Sequence, residues 1–167
     1  MLDPDAVVLV GHGGVPRDFP RRDLQRLKAL EADRRARGGT PSAEEIALER
    51  RIRTWPRTPA NDPYRAGLER LAGALRPLVA PATLVLAYNE FCAPALDEAV
   101  EALAAQGARS IVVVPSMLTP GGIHSETEIP EAIARLRTRH PDARLRYAWP
   151  FDMESVARLL ASQVGVR

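Results

Sequence analysis

At 167 residues the chain is long enough for one domain with a sizeable core. Charged residues make up 26% of it, yet the formal net charge is only +2, a balance that argues against a nucleic-acid binder. The single cysteine, Cys92, rules out an internal disulfide, and no apolar run approaches the roughly 20 residues that span a bilayer, so no membrane partner is expected.

The first residues, MLDPDAVVLVGHGG, lack the basic start of a signal peptide and read as a first strand, so a cytoplasmic location is expected. Aromatic residues are only 5% of the chain, which leaves the core to Ala, Val, Leu and Ile. Lys28 is the only lysine, so the positive charge is nearly all arginine, whose planar fork suits carboxylate-bearing ligands.

In chain order, the apolar run Ala6–Val10 predicts strand one. Two charged, helix-prone segments follow, Arg22–Arg37 and Ala43–Trp55, separated by the turn sequence Gly38-Gly39-Thr40-Pro41. About fifty residues between strand one and Tyr64 are too many for one βα loop. The segment at about 18–58 therefore reads as a helical hairpin inserted after strand one, either a solvated excursion or a lid or dimer contact. Tyr64, Leu68, Leu71 and Leu75 then repeat at helical spacing, and Thr83–Ala87 predicts strand two. Leu96, Val100 and Leu103 mark a helix stopped near Gly107, and Ser110–Val114 predicts strand three. Ile129, Ile133 and Leu136 mark a helix with Pro130 in its first turn. Arg144–Ala148 alternates as an edge strand does, and Val156, Leu159, Leu160 and Gln163 predict a last helix.

The alternation of strands and helices predicts an α/β fold. Right-handed crossovers give a flavodoxin-like four-stranded parallel sheet in the order 2-1-3-4, with helices on both faces, as one domain over residues 1–167. In such a sheet ligands bind outside the carboxyl ends of the strands, at the point where the winding reverses. The residues after strands one to three supply His12, Glu90 and His124 as candidate metal ligands and catalytic groups. Gly13, Gly14 and Gly122 give the same loops room to bend and to admit a large ligand. Histidine and carboxylate together suit a divalent metal such as cobalt, iron, nickel or zinc. Glu90 has a second reading, as the cap of the helix that starts near Pro94. His140, before a proline at a helix end, reads as a C-terminal cap, and Cys92 as a small buried hydrophobe. A hydrolase reading of Gly11-His12-Gly13-Gly14 lacks a Gly-x-Ser-x-Gly elbow; Ser116 is flanked by Pro115 and Met117. There is no Walker-type loop, so neither a nucleotide cofactor nor ATP is implied.

Four stretches carry a family resemblance: Val8-Leu9-Val10-Gly11-His12-Gly13; Glu90-Phe91-Cys92-Ala93-Pro94-Ala95-Leu96; Ile111 to Leu118; and Gly122-Ile123-His124 followed by Glu128-Ile129-Pro130. In them the chain resembles the small class II tetrapyrrole chelatases, the sirohydrochlorin cobaltochelatases and ferrochelatases. The resemblance spans residues 6–14 and about 63–165 and leaves the insert uncovered. It implies ATP-independent insertion of cobalt or iron into a sirohydrochlorin-like tetrapyrrole. His12, His124 and Glu90 would hold the metal and move pyrrole protons, Glu128 would steady His124 or start a helix, and a homodimer is among the implied partners. A metal- or tetrapyrrole-carrying module without turnover is the alternative. The chain departs from the family where Gly13-Gly14-Val15 stands in place of a Gly-Ser-Arg continuation.

Overall fold

The computed structural model describes residues 3–165. Four strands, β1 (Ala6–Gly11), β2 (Thr83–Tyr88), β3 (Ser110–Pro115) and β4 (Arg144–Tyr147), form one parallel sheet in the order β2-β1-β3-β4. Ala6 lies opposite both Thr83 and Ile111, so the three longer strands start in step and end in step. That shared register brings the residues after Gly11, Tyr88 and Pro115 to one edge. The sheet is the predicted one; β4 ends one residue earlier than its alternating pattern suggests.

Six α-helices are present among the described residues: α1 (Arg21–Arg37), α2 (Ala43–Arg53), α3 (Pro63–Val79), α4 (Leu96–Ala105), α5 (Ile129–Arg139) and α6 (Met153–Val164). Local chemistry explains their starts. Ser42 Oγ accepts the Glu45 N–H at 3.1 Å to open α2, and Asp62 Oδ1 accepts the Arg65 N–H at 2.9 Å to open α3, with Pro63 in its first turn. α4 opens with Glu98 Oε2 accepting the Ala95 N–H at 2.6 Å, so Glu90 is not its cap. His140 stands at the C-terminal cap of α5, as expected from Pro141 beyond it.

β1 is buried along its whole length, which its unbroken apolar sequence demands. Its side chains alternate between two cores. Ala6, Val8 and Val10 join Ile111, Val113, Leu145 and the buried faces of α4 and α5. Val7 and Leu9 join Leu68 and Ala72 of α3 and Leu84 and Tyr88 of β2. Each fully buried valine or isoleucine here contributes about 1.5–3 kcal/mol.

Two features depart from the sequence pattern. α5 is preceded by one π-helical turn, His124–Glu128, which periodicity does not reveal. And α6, although strongly amphipathic, buries none of its residues, so it does not cover the sheet as the last helix of such a fold is expected to.

The inserted hairpin has its own small core. Phe19, Leu27 and Ile52 are buried there, with Val15, Leu24, Leu48 and Trp55 packed around them. It is a folded element and not a solvated excursion. Bidentate Arg26–Glu44 and the Arg51–Asp23 pair tie α1 to α2.

Candidate metal centre

Three loops leave the carboxyl edge of the sheet and meet. The Glu90 N–H donates to the His12 carbonyl at 2.8 Å, and the Asn89 N–H to the Gly11 carbonyl at 2.9 Å, so the loop after β2 lies along the loop after β1. Gly13 makes the approach possible. Its φ is +97°, and a Cβ at this position would stand 1.8 Å from the Glu90 carbonyl oxygen. Ser116, after β3, is held to the same edge by its N–H bond to the Val10 carbonyl at 2.8 Å.

His12, Glu90 and His124 come together there, each offering one ligand atom, all within 4.8 Å of one another. The two imidazoles meet edge to face, with centroids 4.5 Å apart and planes at 85°. His12 Nε2 lies 4.0 Å from Glu90 Oε2. Small side-chain adjustments bring such donors to the 2.0–2.2 Å at which an ion is bound. The side chains are 43%, 32% and 16% exposed for His12, Glu90 and His124, so the centre is open on the His12 side.

Neighbouring groups fix which nitrogens face the centre. His12 Nδ1 is 2.8 Å from the Gly13 carbonyl, which can only accept, so Nδ1 carries the proton and Nε2 is free. His124 Nδ1 is 2.7 Å from Glu128 Oε2, one π-turn away, and Asn89 Nδ2 is 2.5 Å from the same oxygen. Burial works to raise the Glu128 pKa, but the bonds from His124 and Asn89 outweigh it and hold the carboxyl below its ordinary value. An ionised Glu128 accepts the His124 Nδ1 proton and leaves Nε2 as a donor to metal. The two readings of Glu128 therefore combine: it precedes α5 directly and bonds the ring of His124.

A cavity of about 860 Å³ adjoins the centre. His12, Gly13 and Gly14 form one wall, Tyr64, Gly67 and Leu71 of α3 another, and Ser116 and Met117 a third. Its lining is mostly apolar. The Tyr64 hydroxyl accepts the His12 backbone N–H at 2.7 Å, which joins the cavity wall to the metal loop.

Not every residue singled out in the sequence is at the centre. Gly122 does not line the cavity; its carbonyl accepts the Glu126 N–H at 3.0 Å and starts the π-turn. Cys92 is buried, its thiol pushed up by burial and bonded to the Ala93 carbonyl, as a structural residue is. The Ser116 hydroxyl bonds the Met117 sulfur and no imidazole, so the structure offers no nucleophile–base pair at that position.

Sequence reasoning did not give Asn89, Tyr64 or Arg57 a role at the site. Asn89 directly follows β2, a position signal that was available. Tyr64 reads from sequence as one member of a helical apolar stripe. Arg57 had no signal, being one arginine among many. Its guanidinium, 1% exposed, bonds the carbonyls of Gly14, Ile52 and Phe91 and pairs with Asp62, which is 2% exposed. It thus ties the insert to both loops that bear metal-ligand candidates. Phe91 is the second tie. Its φ of +55° is unusual for a side chain of its size, and it packs against the insert core.

The CbiX family model matches residues 60–165, so it includes Glu90 and His124, while His12 and the insert precede it. A sirohydrochlorin cobaltochelatase of Priestia megaterium is 34% identical over 70 residues, 42% of this chain and 22% of the relative. A sirohydrochlorin ferrochelatase of Bacillus subtilis (strain 168) is 33% identical over 69 residues, 41% of this chain and 26% of the relative. The chain therefore matches about a quarter of the length of these curated relatives. Among solved structures, a protein of Marinobacter aquaeolei VT8 assigned to CbiX and cobalamin (vitamin B12) biosynthesis superposes with a TM-score of 0.54. It is 18% identical, with 98% of this chain and 97% of that one covered, which is a likeness of fold.

Proposed function

The chain belongs to the CbiX family, and on that premise we propose that it inserts a divalent metal, cobalt or iron, into a sirohydrochlorin-like tetrapyrrole without ATP. The observation that carries this reading is the convergence of His12, Glu90 and His124 beside a large, mostly apolar cavity. The cobaltochelatase and ferrochelatase names of the curated relatives support the substrate class and both metals.

Insertion replaces two pyrrole N–H protons by one M²⁺ ion, so the site must deliver the ion and take up two protons. Two imidazoles with free Nε2 atoms serve both ends, because neutral imidazole ligates a metal and, once the metal has left, accepts a proton near neutral pH. Glu90 adds the negative charge that makes a dication welcome and its departure tunable. Three protein donors leave a coordination position open, as transfer requires. The macrocycle lies against the apolar wall of Tyr64, Gly67, Leu71 and Met117, and Gly14 lets it approach the loop closely.

The test is to mix the protein with sirohydrochlorin and Co²⁺ or Fe²⁺ and follow the absorption spectrum. The expected outcome is insertion well above the spontaneous rate. Loss of a ligand should be severe: His124→Ala and His12→Ala each fall by about 100-fold or more, with the far-ultraviolet circular dichroism unchanged. Tetrapyrrole or metal binding with no acceleration would establish the carrier module instead, and full activity in either variant removes these histidines from the mechanism.

A further inference from the structure

A twelve-residue helix such as α6 is marginal in water by itself, since nucleation is costly and few hydrogen bonds follow it. Helices of this length persist by burying an apolar face. α6 has such a face: Met153, Val156, Leu160 and Val164 recur at spacings of three and four, with Leu159 at its margin. Yet Met153 is 42%, Leu159 53%, Leu160 57% and Val164 76% exposed.

The sheet has the opposite deficit. Helices cover both faces of a parallel sheet, but on the side where α3 packs over β1 and β2, no helix packs over β3 and β4. A groove of about 410 Å³ runs there, between Val112, Val114 and Ala148 on the sheet and Leu75, Leu78 and Val79 on α3. Leu78 at its rim is 80% exposed. The chain thus has one helix without a groove and one groove without a helix.

Its own α6 does not fill the groove. Trp149 anchors the connection after β4: its Nε1–H donates to Glu126 Oε1 at 3.2 Å, its ring stacks on Tyr147 with centroids 6.4 Å apart, and Phe151 meets it edge-on at 5.2 Å. From this anchored connection α6 departs clear of the body.

We propose that α6 of one copy docks in the β3–β4 groove of a second copy, and the reverse, so that the chain forms a two-fold dimer by exchanging its last helices. The lengths match: twelve helical residues span about 18 Å, and a six-residue strand about 20 Å. Both surfaces are apolar, and the groove carries Arg146 where α6 brings Glu154 beside its apolar face. The exchange is self-complementary and closes after two copies. It also doubles the contact toward the roughly 1,200–2,000 Å² that a specific dimer buries. A membrane surface is a poorer occupant, because the polar side of α6 holds Arg158 as its one cation, where interfacial helices are rich in them. Leu71, on the same face of α3 as Leu75 and Leu78, lines the metal-site cavity, so the second copy sits beside that cavity.

The inference stands whether or not the protein is a chelatase. Light scattering on the full chain is expected to give twice the monomer mass. Leu160→Glu on the helix and Leu78→Glu on the groove rim should each give monomers. Since Leu78 is exposed in the single chain, that charge does not disturb its fold. Mixing the two variants should restore part of the dimer, because one groove and one helix remain intact between them. Hydrogen exchange at α6 should be slow in the wild-type dimer and fast in both monomers. A monomeric wild-type chain overturns the proposal, including one in which α6 is protected by its own groove. So does a dimer that both substitutions leave unchanged.

Discussion

A histidine that binds metal through Nε2 needs its Nδ1 proton held by something else, and the quality of that hold sets ring orientation and basicity. For His124 the holder is Glu128, with Asn89 bonded to the same carboxylate oxygen. Removing such a partner typically costs about 10–100-fold in metal affinity. Glu128→Ala is therefore expected to weaken Co²⁺ binding by that factor in calorimetry, with the thermal midpoint little changed because the carboxylate is part-exposed. Glu128→Gln keeps an acceptor oxygen and should fall between. Equal affinity in all three proteins would show that His124 is oriented without Glu128. His12 is held by a backbone carbonyl, a partner no side-chain substitution removes. The sequence exposed this part of the site well, because His12, Glu90 and His124 sit at strand ends in a fold whose strand ends are predictable. It left Glu128 with two readings, and only the π-turn, which puts residues 124 and 128 on one side, explains why both hold.

At the scale of elements, the loops bearing His12 and Glu90 are held from outside by the insert. Arg57 bonds Gly14, Phe91 and Ile52 carbonyls and pairs with Asp62, which caps α3. Removing one member of a buried ion pair leaves the other uncompensated and costs about 3–5 kcal/mol. Arg57→Ala is expected to lose stability on that scale in urea. Arg57→Lys keeps the charge but not the planar fork that reaches several carbonyls at once. It should stay folded while metal affinity falls, since Gly14 and Phe91 flank the two loops. A lysine variant with undiminished affinity would make Arg57 a purely structural clamp. Strands β1 and β3 were legible because their runs of Val, Ile and Leu are buried on both faces. The clamp was not, because its geometry joins residues up to 43 positions apart and nothing in a lone arginine announces its partners. The amphipathic face of α6 was equally plain in sequence, but a period of 3.6 says only that a face is apolar, not which surface receives it.

Across the whole molecule, apolar burial is divided unequally. The two sheet cores share β1 and extend through α3, α4 and α5, whereas the insert core of Phe19, Leu27 and Ile52 is separate from them. The insert is joined to the body by Phe91, the Arg57 bonds and a backbone bond from the Ala93 N–H to the Arg53 carbonyl at 3.2 Å. A unit with few apolar contacts to the rest opens at lower free energy than the global transition. Native-state hydrogen exchange is therefore expected to show two levels of protection: amides of β1 and β3 exchanging only with global unfolding, and those around Leu27 and Ile52 exchanging earlier and together. Ile52→Ala, which leaves a cavity at a fully buried position, should lower the insert's opening energy by about 2–5 kcal/mol. The β1 amides should hardly respond as long as global stability exceeds that loss. Because Phe91 follows Glu90 directly, opening of the insert frees the Glu90 loop, so the same variant should release bound metal faster while the sheet stays intact. If Leu27 and Val8 amides exchange at one common rate in the wild-type protein, the insert is not a separate unit, and the metal loops are as rigid as the sheet that carries them.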